Sequence, residues 1–364
     1  MEALFKREER EFMTGNEVVV WAALAAGAHM LYGYPITPQN EIMHHWSRLS
    51  AKYGRHFLQT EDELAAGFAA IGGVMGGLKA FSATSGPGTV LFQEPLSMAE
   101  MMRLPLVLVV QQRGGPSTAT VIYSQQEVTL STYGGNGEGW RVVYSTSGHQ
   151  DLFDYTIKAF DTAWRYSFPV IVLGDGYQAK MREPVTLYDP EGRGIHQEAS
   201  RAFLGNPRMP GRDRPPAHLR NAYSVEEELA EALVPIISDY EEMSPMIEEY
   251  REERVEGAEI LLLAHGIAAR TAAAALPVLQ REGIRAGLFR PVTLRPFPAR
   301  ALRERVSRLP RMLVIESSQG QLYRLAMAEL AGLSCTVHTL FKPGVGITVE
   351  DILARAVEIR ERSG

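Results

Sequence analysis

Residues 104–110 read Leu-Pro-Leu-Val-Leu-Val-Val, an apolar run without the polar alternation of a strand that has one face in water. Such a run predicts a strand covered on both sides, as in the centre of a parallel sheet. Shorter strand-like stretches lie at 57–59 (expected buried), 80–84, 142–145 and 169–173, with helical patterns at 41–49, 63–78, 90–102 and 151–166. A further alanine-rich helix, capped by Thr14 or Asn16, runs through Val20, Leu24 and Met30 to a stop at Gly33. Strand and helix in alternation predict an α/β fold, a parallel sheet with helices on both faces.

At 364 residues with 45% hydrophobic content, the chain is long enough for two such units. The alternation resumes with strands at 260–264, 286–289 and 312–316 and helices at 268–282, 299–307 and 321–330, a smaller α/β domain. The expected division is a first domain at 13–185, a linker at 186–254 and a second domain at 255–362. The linker holds a proline-rich and arginine-rich crossing at 206–216 and an acidic helix from about 224 to 253.

Composition removes several functions. A formal charge of -6 without a sustained basic block argues against a nucleic-acid partner. Residues 1–12 are charged, and the apolar window 18–36 is broken by Gly27, His29 and Gly33. Neither a secretory signal nor a membrane span is expected, and the cytoplasm is the expected location. Cys335 is the single cysteine, so the chain ties no internal disulfide and lacks the four thiolates of an iron–sulfur cluster. That cysteine is expected in a buried strand.

The chemistry concentrates in loops at the carboxyl ends of strands, where open α/β sheets bind ligands. These are Tyr34-Pro35-Ile36-Thr37-Pro38, Gln59-Thr60-Glu61-Asp62-Glu63, Thr84-Ser85-Gly86-Pro87-Gly88 and Gln112-Arg113-Gly114-Gly115-Pro116-Ser117-Thr118. Two prolines fix the backbone around Thr37. Three clustered acids raise one another's pKa, and a pocket carboxylate of that kind suits a heteroaromatic nitrogen. Blander readings stand beside these: Glu63 favours the dipole of its own helix, Thr37 caps the helix at 41–49, and Arg113 pairs with an acid at a subunit seam.

Glu63-x-x-Ala66, with small residues to Gly72, resembles the pyrimidine-binding domain of thiamine-diphosphate enzymes, and residues 84–88 resemble that fold's cofactor loop. Together with Gly33-Tyr34-Pro35-Ile36-Thr37-Pro38 and the Arg113 loop, the chain resembles the α subunit of 2-oxoacid:ferredoxin oxidoreductases. Leu294-Arg295-Pro296-Phe297-Pro298 and Glu316-Ser317-Ser318-Gln319-Gly320 resemble that family's second, transketolase-C-terminal-like domain. The resemblance implies that Glu63 is catalytic and favours the imino tautomer of the aminopyrimidine, with Glu61 as the alternative alignment. It implies further that Thr37 and Arg113 bind substrate, and that Pro35, Ile36, Ser85 and Gly86 line the cofactor. A β subunit would hold the diphosphate, Mg2+ and a [4Fe–4S] cluster. Ferredoxin would accept electrons and coenzyme A the acyl group. The resemblance further implies a separate γ subunit in place of the family's fused amino-terminal γ domain, and a δ subunit.

Gly174-Asp175-Gly176 imitates the metal–diphosphate motif of thiamine enzymes, with Asn206 near the spacing of its asparagine. The interval lacks the required βα unit, so 174–176 is expected as a strand-end turn and no metal site on this chain. The glycine-rich stretch 134–139 is expected as a mobile turn rather than a dinucleotide loop. His44 and His45 point to different helix faces and suit surface or packing roles. After Thr118 the family's Gly-x-Pro-Thr is replaced by Ala119-Thr120-Val121-Ile122, an apolar change in the pocket. The leading substrate is 2-oxoglutarate, with branched-chain 2-oxoacids or pyruvate as alternatives. A non-redox thiamine-dependent decarboxylase subunit and a non-catalytic assembly module are the rival functions.

Overall fold

The computed structural model describes residues 4–5, 7–204 and 218–362. Its strands are β1 (Glu9–Thr14), β2 (Met30–Gly33), β3 (His56–Gln59), β4 (Ala80–Thr84), β5 (Val107–Gln112), β6 (Val142–Ser145), β7 (Val170–Asp175), β8 (Arg182–Leu187), β9 (Tyr250–Glu253), β10 (Ile260–Ala264), β11 (Ala286–Pro291), β12 (Thr293–Arg295), β13 (Arg311–Glu316) and β14 (Thr336–Phe341). Its helices are α1 (Gly15–Ala25), α2 (Asn40–Ser50), α3 (Glu63–Met75), α4 (Pro87–Leu91), α5 (Gln93–Met101), α6 (Val128–Tyr133), α7 (His149–Tyr166), α8 (Gly176–Lys180), α9 (Glu226–Ile247), α10 (Gly266–Arg281), α11 (Ala299–Val306), α12 (Gln321–Glu329) and α13 (Val349–Glu361). None of the described helices is long and apolar enough to cross a membrane.

The apolar run becomes β5, buried along its whole length inside a seven-stranded sheet of order β12-β6-β7-β5-β4-β2-β3. Successive side chains alternate between faces, and both faces are covered. Val107 and Val109 join a core shared with α1 and α7, while Leu108 and Val110 join one shared with α3, α5 and the second sheet. That second sheet has the order β14-β13-β10-β11-β9. Every pairing in the two sheets is parallel except those of the outermost strands β12 and β9.

Several sequence-based expectations are corrected. Helix α1 ends at Ala25, not Gly33: Gly27 turns at φ +75°, and His29 N donates to Lys79 O at 2.8 Å, which starts β2. Thr14 is the cap, in a reciprocal box with Glu17. Strand β3 is a half-exposed edge rather than a buried strand. The helix expected at 90–102 is divided at Phe92 into α4 and α5.

The expected linker carries sheet-forming segments. Strand β8, which runs from the end of the expected first domain into the linker, pairs antiparallel with β1, and β9 closes the second sheet where the acidic helix was expected to continue. Helix α9 buries Ile236, Tyr240, Met243 and Ile247 in the first core. In the other direction, β12 leaves the second domain and pairs with β6. The turn at 134–139 is held at its two ends: the Arg295 guanidinium donates to Glu138 O and Gly139 O, each at 3.0 Å, and Arg141 to Gly134 O at 2.9 Å. Cys335 stands half-buried one residue before β14, not inside a buried strand. Residues 206–216, with Asn206, lie outside the described residues.

Candidate functional site

Helix α3 begins where β3 ends, and its cap is Asp62, whose carboxylate accepts from Ala65 N at 2.7 Å. With the helix end already satisfied, the carboxylate of Glu63 is spare. It is turned inward, leaving the residue 5% exposed, while Glu61 is exposed. Gly88 lies against it, since a Cβ there would collide with both the Glu63 carboxylate and Thr84 Oγ1. Burial pushes the Glu63 carboxyl pKa up, its own backbone N–H and the Arg113 charge oppose that, and Asp62 adds to it.

The loop after β4 approaches from the side. Thr84 and Ser85 are fully buried, Gly86 turns at φ +54°, and Pro87 opens α4. The Arg113 guanidinium lies across Gly86, where an added Cβ would collide with Nε. Its terminal nitrogen donates to Thr37 O at 2.8 Å, so Arg113 joins the turn after β2 to the turn after β4. That first turn is held by Gln39 Nε2 on Tyr34 O (3.0 Å) and Asn16 Nδ2 on Pro38 O (2.8 Å). Gln39, not Thr37, occupies the cap position of α2, which removes the capping reading of Thr37. Within this turn Pro35 is exposed, and Ile36 and Thr37 are half-buried.

Sequence reasoning missed Glu127. Its fully desolvated carboxylate accepts from Gly86 N and Arg113 N, both at 2.9 Å, and from Thr89 Oγ1 at 2.5 Å. Burial raises its pKa, with Thr89, the two backbone donors and the Arg113 charge pulling the other way. In the loops it ties together, Thr84 Oγ1, Ser85 Oγ and Arg113 Nε are buried without a partner among the described residues. Buried polar atoms are ordinarily satisfied, so this set matches a polar ligand.

The second domain braces these loops. Gln125 Nε2 donates to His265 O at 2.9 Å, and Gln125 Oε1 accepts from Ser317 N at 2.9 Å. Residues 120–122 fold back beside the Thr37 turn, because Gly176 sits against both Ile122 O and the Pro38 ring. Val121 and Ile122 keep their side chains exposed. Asp175 ends β7 and caps α8 through Tyr177 N (2.9 Å) and Gln178 N (3.0 Å), a strand-end turn. No cluster of three or more metal-binding side chains occurs among the described residues. His44 is exposed, and His45 lies half-buried, 3.8 Å from Glu17.

The family described as pyruvate flavodoxin/ferredoxin oxidoreductase, thiamine diphosphate-binding, matches residues 21–252, the segment that contains the whole site. The chain belongs to this family. Residues 258–352 match the pyruvate:ferredoxin oxidoreductase core domain II. The 2-oxoglutarate synthase subunit KorA of Archaeoglobus fulgidus is 35% identical over 323 residues, 87% of this chain and 90% of its own length. The ketoisovalerate oxidoreductase subunit VorB of Methanothermobacter thermautotrophicus is 34% identical over 314 residues, 86% and 87% respectively. A 2-oxoglutarate:ferredoxin oxidoreductase structure from Magnetococcus marinus, with 2-oxoglutarate, coenzyme A and succinyl-CoA bound, superposes with a TM-score of 0.84 at 26% identity. That match covers 96% of this chain and 65% of the other. A split-gene transketolase, at a TM-score of 0.58 and 14% identity, shares the fold. The resemblance to the oxidoreductase family and the α/β fold class read from alternating strands and helices are thereby borne out.

Proposed function

We propose that this chain is the α subunit of a CoA-acylating 2-oxoacid:ferredoxin oxidoreductase and supplies the pyrimidine side of its thiamine-diphosphate site. The observation that carries the reading is the inward carboxylate of Glu63 against Gly88 and the unsatisfied Thr84 hydroxyl, with the buried Ser85 hydroxyl in the same loop. These residues fit the polar edge of an aminopyrimidine: a buried carboxyl can share a proton with a ring nitrogen, and burial shifts its pKa in the direction that favours such sharing. When bound, thiamine diphosphate supplies the electron sink that a 2-oxoacid needs in order to lose CO2. Ser85, Gly86, Pro35 and Ile36 would line that cofactor.

Arg113 would hold the substrate carboxylate, because a guanidinium fork matches its two oxygens, and the Thr37 hydroxyl would bind the carbonyl oxygen. Low exposure around Arg113 strengthens both contacts. A β subunit would grip the diphosphate through Mg2+ and carry the [4Fe–4S] cluster, since one cysteine in this chain cannot. Separate γ and δ subunits, ferredoxin as acceptor and coenzyme A as acyl acceptor complete the assembly. The subunit names of the relatives support a multi-chain enzyme.

The leading substrate is 2-oxoglutarate, after the relatives and the structural neighbour that act on it or bind it. A branched-chain 2-oxoacid is the second reading, favoured by apolar Val121 and Ile122 beside the Thr37 turn and by the similar identity to the ketoisovalerate enzyme. Purified alone, the chain should show no iron–sulfur absorbance and no turnover, and should gain ferredoxin reduction with its β partner. Full activity of the isolated chain would overturn the reading. Rates of the assembled complex with 2-oxoglutarate, 2-oxoisovalerate and pyruvate separate the substrates.

A further inference from the structure

Glu127 stands immediately before α6, where an acidic side chain ordinarily caps its own helix. It makes no such bond. Its carboxylate faces the sheet instead, with Oε1 on Gly86 N and Arg113 N and Oε2 on Thr89 Oγ1. One side chain thus ties together the loops that follow two adjacent strands, β4 and β5, and the first turn of α4. A carboxylate sunk this deep is tolerated only when its lone pairs are used, and here N–H and O–H donors use them.

The way Arg113 is held gives this tie its meaning. Glu127 binds the backbone of Arg113, not its guanidinium, while among the described residues the guanidinium has one hydrogen bond, to Thr37 O, and a buried Nε without a partner. The fork is therefore placed by the backbone from which it springs together with its contacts at Gly86 and Thr37 O. A carboxylate so close could itself have occupied the guanidinium, but its lone pairs face other donors and leave the fork available to an incoming anion.

We propose that Glu127 is a positioning residue for 2-oxoacid binding, fixing the Arg113 backbone to Gly86 so that the guanidinium lies across the glycine and meets the substrate carboxylate. The inference rests on the assignment of Arg113 to substrate made above. It is tested in the assembled complex with Glu127→Ala, Glu127→Gln, Thr89→Val and Arg113→Ala, by steady-state kinetics and by thiamine-diphosphate titration of the cofactor-depleted complex. Glu127→Ala should raise KM for the preferred 2-oxoacid roughly 10- to 100-fold while kcat falls less than about threefold. Cofactor affinity and the KM for coenzyme A should stay in place. Thr89→Val should move the same KM in the same direction by about three- to tenfold, and Glu127→Gln, which keeps an acceptor oxygen, should return it to within about threefold of wild type. A fall in kcat and cofactor affinity at unchanged substrate KM would overturn the proposal, leaving Glu127 as fold support. If Glu127→Ala does not assemble, Thr89→Val decides, and a wild-type KM there overturns the proposal. A raised KM in Arg113→Ala with wild-type values in Glu127→Ala and Thr89→Val refutes the positioning role alone. A wild-type KM in Arg113→Ala refutes the substrate assignment and this inference with it.

Discussion

Glu63 and Glu127 are two buried acids with different partners, and the difference bears on chemistry. Glu127 accepts from Gly86 N, Arg113 N and Thr89 Oγ1, whereas the Glu63 carboxylate lies against Gly88 beside the unsatisfied Thr84 hydroxyl. Glu63→Gln should assemble normally with the partner chains and lower turnover by at least ~100-fold, since a carboxamide has no acidic proton to share with a ring nitrogen. Turnover near wild type, measured as ferredoxin reduction, would refute the role. Glu63 was legible in the sequence because it opens a helix among small residues after a strand. Glu127 was not, because Ser124-Gln125-Gln126-Glu127 looks like any polar approach to a helix, and its meaning depends on β4 lying beside β5.

The elements that declared themselves were those with a strong period or strong boundaries. Strands β4, β6 and β10 fall where their apolar runs predict them. The alanine-rich stretch of α1 did not show its own end, because alanine favours the helix without marking a face, and the stop came from the pairing of His29 with Lys79. Strands β9 and β12 were illegible for another reason. Tyr-Arg-Glu-Glu and Thr-Leu-Arg are too short for an alternating pattern, and their partners are distant in sequence. Helix α9 was read as part of a surface linker, yet Tyr240 is buried and its hydroxyl donates to Arg141 O at 2.8 Å. Tyr240→Phe should therefore destabilise the chain by about 1–2 kcal/mol, the cost of leaving a buried carbonyl without that donor. Urea midpoints of the two proteins check this, and equal midpoints would place α9 outside the cooperative core.

At the scale of the molecule, the two domains meet over polar contacts whose ionisation state matters. Asp175, at the end of β7, is fully desolvated, and burial raises its pKa to about 7 against the backbone donors Gln178 and Tyr177 and, from α10, Arg270 and Ile267 N. The folded chain therefore holds this proton where the unfolded chain, at the ordinary value of 3.8, has released it. Stability contributed by Asp175 is full below the unfolded value and is lost as pH rises through about 7. The stability difference between wild type and Asp175→Asn should shift against the wild type as pH climbs from about 4 to about 7, read from denaturation midpoints. A pH-independent difference would contradict it.

The exchange of strands between the domains has a consequence for any divided form of this protein. Cutting the chain near residue 254 would strip β12 from the first sheet and β9 from the second, baring one flank of β6 and one of β11. Fresh strand flanks of that kind recruit other chains, so separately expressed halves should clump, or dock on one another, before either behaves as an independent piece.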